Sequence, residues 1–140
     1  MAQYFETRAS FDRTMEDGAV KKVTEVYLVD AVSCSEVEAR TIEELRPYVS
    51  GELDVKVAKR AKIADMWGIG ADKYWLAKVA FVTIDEKTAK EKRSVSQILV
   101  GADSFKEAYD VFVGGMKGTV LDYELLSLSQ TRIKDVFKTV

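Results

Sequence analysis

Tyr4 and Arg8 sit on one face of an alternating segment, and Tyr74 and Lys78 repeat that spacing later in the chain. A ring that can stack on a base, beside a cation that can meet a phosphate, is the chemistry single-stranded nucleic acid requires. Basic residues also cluster at Lys56, Lys59, Arg60 and Lys62, and again at Lys87, Lys90, Lys92 and Arg93. The candidate interface therefore comprises Tyr4, Arg8, Lys59 and Arg60, with Tyr74, Lys78, Lys92 and Arg93 as its second half. The competing reading is a solvated sheet face whose tyrosines begin strands because β-propensity favours them there. Glu6 interrupts any phosphate track between Tyr4 and Arg8. The net charge of −2 supplies no bulk attraction to nucleic acid or acidic membranes.

Other chemistries find less support. Histidine is absent, which removes the commonest general base near neutral pH and the commonest metal ligand. The expectation is a binding protein without catalytic residues, cofactor or metal. Cys34 follows a helix N-cap, where the dipole could lower a thiol pKa. Its counterpart Phe105 is apolar, so an inert, buried cysteine is expected. Glu36, Glu38, Glu43 and Glu44 lie along one helix, Glu36 in a capping role. Asp65 and Asp135 recur at equivalent positions; capping of short terminal helices explains them better than a metal held between them. Gly68-Ile69-Gly70 and the Gly114–Gly118 cluster lack P-loop spacing, and the second follows a helix rather than opening one. Trp67, Trp75 and Phe137 could line a small-molecule groove between two halves, although aromatic residues at such positions are usually core.

The elements that would position these residues come in two matching sets. Tyr4-Phe5-Glu6-Thr7-Arg8-Ala9-Ser10-Phe11 answers to Tyr74-Trp75-Leu76-Ala77-Lys78-Val79-Ala80-Phe81. Alternation predicts a strand with Phe5, Thr7, Ala9 and Phe11 inward, and a second with Trp75, Ala77, Val79 and Phe81 inward. Asp17-Gly18 predicts a tight hairpin, and Asp85 to Arg93 a longer charged one. Returning strands are expected over 20–31 and 95–102. Ser33 with Glu36, and Ser104 with Glu107, form two capping boxes that open helices. Pro47 and Gly51 stop the first helix, and Gly114, Gly115 and Gly118 close the second. Strands near 53–58 and 120–128 follow, then short helices at 63–67 and 133–137. The expected fold is α+β: a tandem duplication of a β-β-α-β unit, approximately 4–67 and 74–137. The two copies would form one pseudo-twofold domain over residues 1–140, an antiparallel sheet covered by two helices.

Composition agrees with a soluble globular chain. Of 140 residues, 47% are apolar and 31% charged, with one proline and one cysteine. There is no room for a long flexible linker or an internal disulfide, which suits a reducing cytoplasm. The start of the chain lacks the pattern of a signal peptide, and no apolar run approaches the ~18 residues that cross a bilayer.

Several stretches resemble a family of small uncharacterised proteins of the Bacteroidetes and their phages and mobile elements. They are Thr14-Met15-Glu16-Asp17-Gly18, Lys21-Lys22-Val23-Thr24-Glu25, Tyr27-Leu28-Val29-Asp30-Ala31, Ser33 with Glu36-Val37-Glu38-Ala39-Arg40, Thr83-Ile84-Asp85-Glu86-Lys87, and Met116-Lys117-Gly118-Thr119. The resemblance implies a bacterial or phage cytoplasmic origin and assigns no site residue. The preferred expectation is single-stranded nucleic-acid binding. A protein-interaction or homodimer module is the alternative, and a small-molecule site between the halves is the third reading.

Overall fold

Two hairpins dominate the computed structural model, which describes residues 3–138. The first joins β1 (Gln3–Thr14) to β2 (Val20–Ala31) in register from Gln3 opposite Ala31 to Thr14 opposite Val20. Its turn uses the expected chemistry: Gly18 takes a φ of +84°, and the Asp17 carboxylate accepts from the Ala19 amide. The second joins β5 (Tyr74–Ile84) to β6 (Glu91–Gly101).

Both helices begin where their caps require. α1 (Cys34–Leu45) is capped by Ser33, whose hydroxyl accepts from the Glu36 amide at 3.2 Å, while the Glu36 carboxylate accepts from the Val32 amide. α2 (Phe105–Met116) repeats this with Ser104, Glu107 and the Asp103 amide. Each reciprocal pair satisfies amides that lack intrahelical partners. Replacing either serine by alanine should cost about 1 kcal/mol, by a similar amount at both sites, in denaturant unfolding. α1 stops before a single 3-10 turn, Arg46–Tyr48, that holds Pro47. α2 runs through Gly114 and Gly115, so of the three glycines only Gly118, with φ +86°, lies beyond its end.

The segments expected as terminal helices are strands. β4 (Asp65–Trp67) pairs parallel with β6, and β8 (Ile133–Phe137) pairs parallel with β2. With β3 (Leu53–Ala61) and β7 (Asp122–Gln130), they complete two four-stranded sheets of order β3-β1-β2-β8 and β4-β6-β5-β7. Each sheet is therefore mixed, not wholly antiparallel, and each carries its own helix. The fold is α+β, mostly sheet.

The chain divides into two compact units. The first runs to Lys62 and resumes at Arg132; the second is Ile63–Thr131. Unit boundaries thus cut across the expected repeat boundaries, because β4 joins the sheet of the second unit and β8 that of the first. Val26 to Ala31 of β2 are buried without alternation, and β1 and β8 flank the strand on its two edges. The first core gathers Phe5, Ala9, Phe11, Tyr27, Val29, Val37 and Leu45 beneath α1. The second gathers Trp75, Ala77, Val79, Ile98, Val100, Ala108 and Phe112 beneath α2. The inward faces of β1 and β5 are those the alternation predicts.

Candidate functional site

The eight candidate interface residues divide between the two units and between sheet faces. In the first unit, cross-strand register places Arg8 opposite Lys56 and Glu6 opposite Lys59, on the sheet face away from α1. Arg60 stands opposite Phe5 and so belongs to the other face. Tyr4 is half-buried and Arg8 is exposed. Lys59 lies 3.8 Å from the Glu6 carboxylate. In the second unit, Lys78 is exposed, but Tyr74 is fully buried and its hydroxyl accepts from the Gly70 amide at 2.9 Å. The ring of Tyr74 therefore has no face to offer a base. Arg93 pairs with Glu124, and Lys92 sits on the strand face opposite to that of Arg93. The first unit thus sets a half-buried Tyr4 near an exposed Arg8, and the second does not repeat that arrangement.

Other candidates move as well. Cys34 is exposed rather than buried. Asp65 and Asp135 cap no helix: each lies in a strand and accepts from the amide of the next residue at 2.8 Å. Trp67 and Trp75 belong to the core of the second unit, and Phe137 packs against the core of the first.

A cleft of about 680 Å³ opens in the first unit between the hairpin end of β1 and β2, the end of α1 with its 3-10 turn, and β8. Glu25 and Tyr27 project into it from β2, on the side facing α1. Alternate positions of a strand share a face, so their side chains meet: the Tyr27 hydroxyl donates to one Glu25 oxygen. The other oxygen, Oε1, accepts from Arg13 at 2.6 Å and from Lys134 of β8 at 3.0 Å. The Arg13 guanidinium also stands 5.5 Å from the centre of the Phe11 ring, and Tyr27 stacks on Phe137 at 4.9 Å.

Burial would raise the pKa of Glu25, but the Tyr27 hydrogen bond and the Lys134 and Arg13 charges outweigh it and hold the carboxyl below its ordinary 4.5. Burial, followed by the Glu25 contact, pushes the Tyr27 phenol well above its ordinary value. Because the folded carboxyl is depressed, its contribution to stability is complete above pH 4.5. That contribution is lost as pH falls through the lowered value. Replacing Glu25 by Gln should cost about 2 kcal/mol near neutrality, the scale of hydrogen bonds to a charged group. In acid titrations followed by circular dichroism, the gap between the two proteins should close below pH 4.5.

Residues 3–139 match the family described as Domain of unknown function (DUF4494). The chain belongs to the DUF4494 family. No match was found among curated proteins or among solved structures. Among the described residues of this DUF4494 chain, no helix is long and apolar enough to cross a membrane.

The cleft was missed by reading the two halves of this DUF4494 sequence for what they share. Positions equivalent by strand register show how they differ. Where the first unit has Arg13, Glu25, Tyr27 and Lys134, the second has Thr83, Ser96, Ile98 and Ala64. Where the first has Thr41 and Phe137, the second has Phe112 and Trp67, whose rings lie 6.1 Å apart. Gly115 stands where α1 carries Glu44, and a Cβ there would overlap the Trp67 ring.

Proposed function

We propose that this chain is a non-catalytic binding protein, built by tandem duplication of a β-β-α-β unit, whose site is the cleft of the first unit. The observation that carries this reading is the asymmetry between otherwise corresponding units. Matching strand orders, matching hairpins and two equivalent capping boxes support descent from one pseudo-twofold ancestor. Against that background, the second unit has Ser96, Ile98 and Ala64 where the first has Glu25, Tyr27 and Lys134, and the first keeps an open cleft around that charged cluster. Holding two cations and a phenol on a largely buried carboxylate is costly unless the arrangement serves a purpose. A binding role accounts for it better than catalysis, because these ionisable groups satisfy one another. The setting the sequence resemblance implies is bacterial or phage cytoplasm.

A screen of small organic fragments, read at the backbone amides by NMR, tests the site. Hits should move the signals of Tyr27, Lys134 and Phe137; hits that consistently perturb other regions count against it.

Single-stranded nucleic acid is the second reading, now confined to the first unit, and one observation favours it. Arg8 and Lys56 face each other directly across β1 and β3, and among the described residues neither has an ion-pair partner. Like charges directly opposed in a sheet are destabilising, and an incoming phosphate would relieve them. Tyr4 lies on the same face, one alternate position beyond Glu6. Labelled oligothymidine titrated at low salt should bind and weaken as salt rises. Absence of binding at low salt removes this reading.

A further inference from the structure

We propose that the first-unit cleft takes a small organic cation, an amine or amidine carried on a flat apolar body. This rests on the reading of the cleft as the binding site and adds the chemistry of its ligand. The charges of the lining decide the sign. Arg13 and Lys134 both bond Glu25 Oε1, so the cluster keeps one net positive charge, but both of its cations are already directed onto a carboxylate. Besides Glu25 the lining holds Asp12, which stands opposite Lys22 on the other face of the β1–β2 hairpin, and Glu44 from α1 and Asp135 from β8, which have no cation on them among the described residues. Asp135 is in register with Tyr27, so the two share the strand face that floors the cleft. Its Oδ1 accepts from the Val136 amide. An anion entering here would sit among three carboxylates; a cation would find two of them unmet.

The walls fit the apolar part of such a ligand. Phe11, Tyr27, Tyr48 and Phe137 line the cleft, and Tyr48 is exposed to 84% at its rim. Aromatic faces attract cations, and this cleft already contains one such contact, between Arg13 and Phe11. The volume, about 680 Å³, lies within the range of small-molecule sites.

Benzamidine, benzamide and benzoate share one ring and nearly one shape but differ in charge. Each is titrated into the full chain and followed by amide shifts. Benzamidine should bind about tenfold tighter than benzamide, the difference one charge-assisted contact makes, and benzoate should bind weakest. The shifts should centre on Tyr27, Lys134 and Phe137. Asp135→Asn combined with Glu44→Gln should remove most of the benzamidine advantage while leaving benzamide unchanged. Because Asp135 lies within β8, Glu44→Gln alone, on the outside of a helix, provides a second variant and should lose about half of that advantage on a logarithmic scale. Benzoate binding as tightly as benzamidine, at the same residues, would overturn the cationic class and leave the cleft as a site. Failure of all three compounds, or shifts confined to other regions, would overturn the cleft reading together with this inference.

Discussion

A chain shortened to end at Thr131 is expected to lose the fold of its first unit. The segment removed is β8, which supplies the outer neighbour of β2 and buries Val136 and Phe137. Burying two such side chains contributes about 1.5–3 kcal/mol each, and the strand adds several hydrogen bonds at about 1 kcal/mol apiece. The sum reaches about 6–9 kcal/mol, within the range of the total stability of an ordinary domain. Deletion also strips Lys134 from Glu25 and exposes the edge of β2 along its most apolar stretch, an invitation to aggregate. Amide exchange is the measurement. Protection along the β1–β2 ladder, at Phe5 to Ala9 and Val26 to Val29, should fall towards unfolded values, and a synthetic peptide of residues 132–140 added in trans should restore it. Native protection in the shortened chain without the peptide would show that β2 does not need its parallel neighbour.

That strand escapes a reading of the sequence for a physical reason. Ile133, Val136 and Phe137 follow an i, i+3, i+4 spacing that suits one turn of helix, and Ile63, Met66 and Trp67 do the same. What makes both segments strands is a partner far away in sequence, which no local pattern reports. Features held by neighbours were legible: the Asp17-Gly18 turn, the alternating inward face of Phe5 to Phe11, and both serine capping boxes. Tyr74 shows the limit of alternation. Alternation puts Tyr74 on an outward face, yet it is fully buried, and the unbroken apolar runs Tyr27-Leu28-Val29 and Ile98-Leu99-Val100 are buried without alternation too.

The cleft was not legible from repetition. Repetition drew attention to Tyr4/Arg8 and Tyr74/Lys78, where the halves agree, yet agreement between copies follows from sharing a fold. The charged cluster lies where they differ: Glu25 against Ser96, Tyr27 against Ile98, Lys134 against Ala64. Each is an isolated charge or ring in sequence, unremarked until β1, β2 and β8 bring Arg13, Glu25, Tyr27 and Lys134 within hydrogen-bonding reach.

Gly101→Ala is expected to be among the most damaging single-methyl additions to the second unit. A Cβ at Gly101 would fall on the carbonyl of Gly68, a backbone group with no rotamer to change. Gly68 itself holds a φ of +74°, a conformation glycine alone adopts without strain, and the chain around it is pinned on both sides. The Gly70 amide donates to the Tyr74 hydroxyl, and the Ala102 amide donates to the Lys73 carbonyl at 3.0 Å. Moving Gly68 aside therefore breaks contacts at the fully buried Tyr74 ring, and moving Gly101 disturbs its pairing with Tyr74 in β5. The cost should reach about 3 kcal/mol, the upper part of the range for overpacking a closed site. Two other glycines calibrate it. Gly115→Ala would meet the Trp67 ring, which can tilt, so a smaller loss of about 1–2 kcal/mol is expected. Gly114→Ala meets nothing within 4 Å in a helix and should gain about 0.5–1 kcal/mol from helix propensity. Denaturant unfolding should rank them Gly114→Ala above the unmodified protein, then Gly115→Ala, then Gly101→Ala. A Gly101→Ala protein as stable as the parent would mean that the close approach of Gly68 and Gly101 relaxes at no cost, and that the loop before β5 is not held as its hydrogen bonds require.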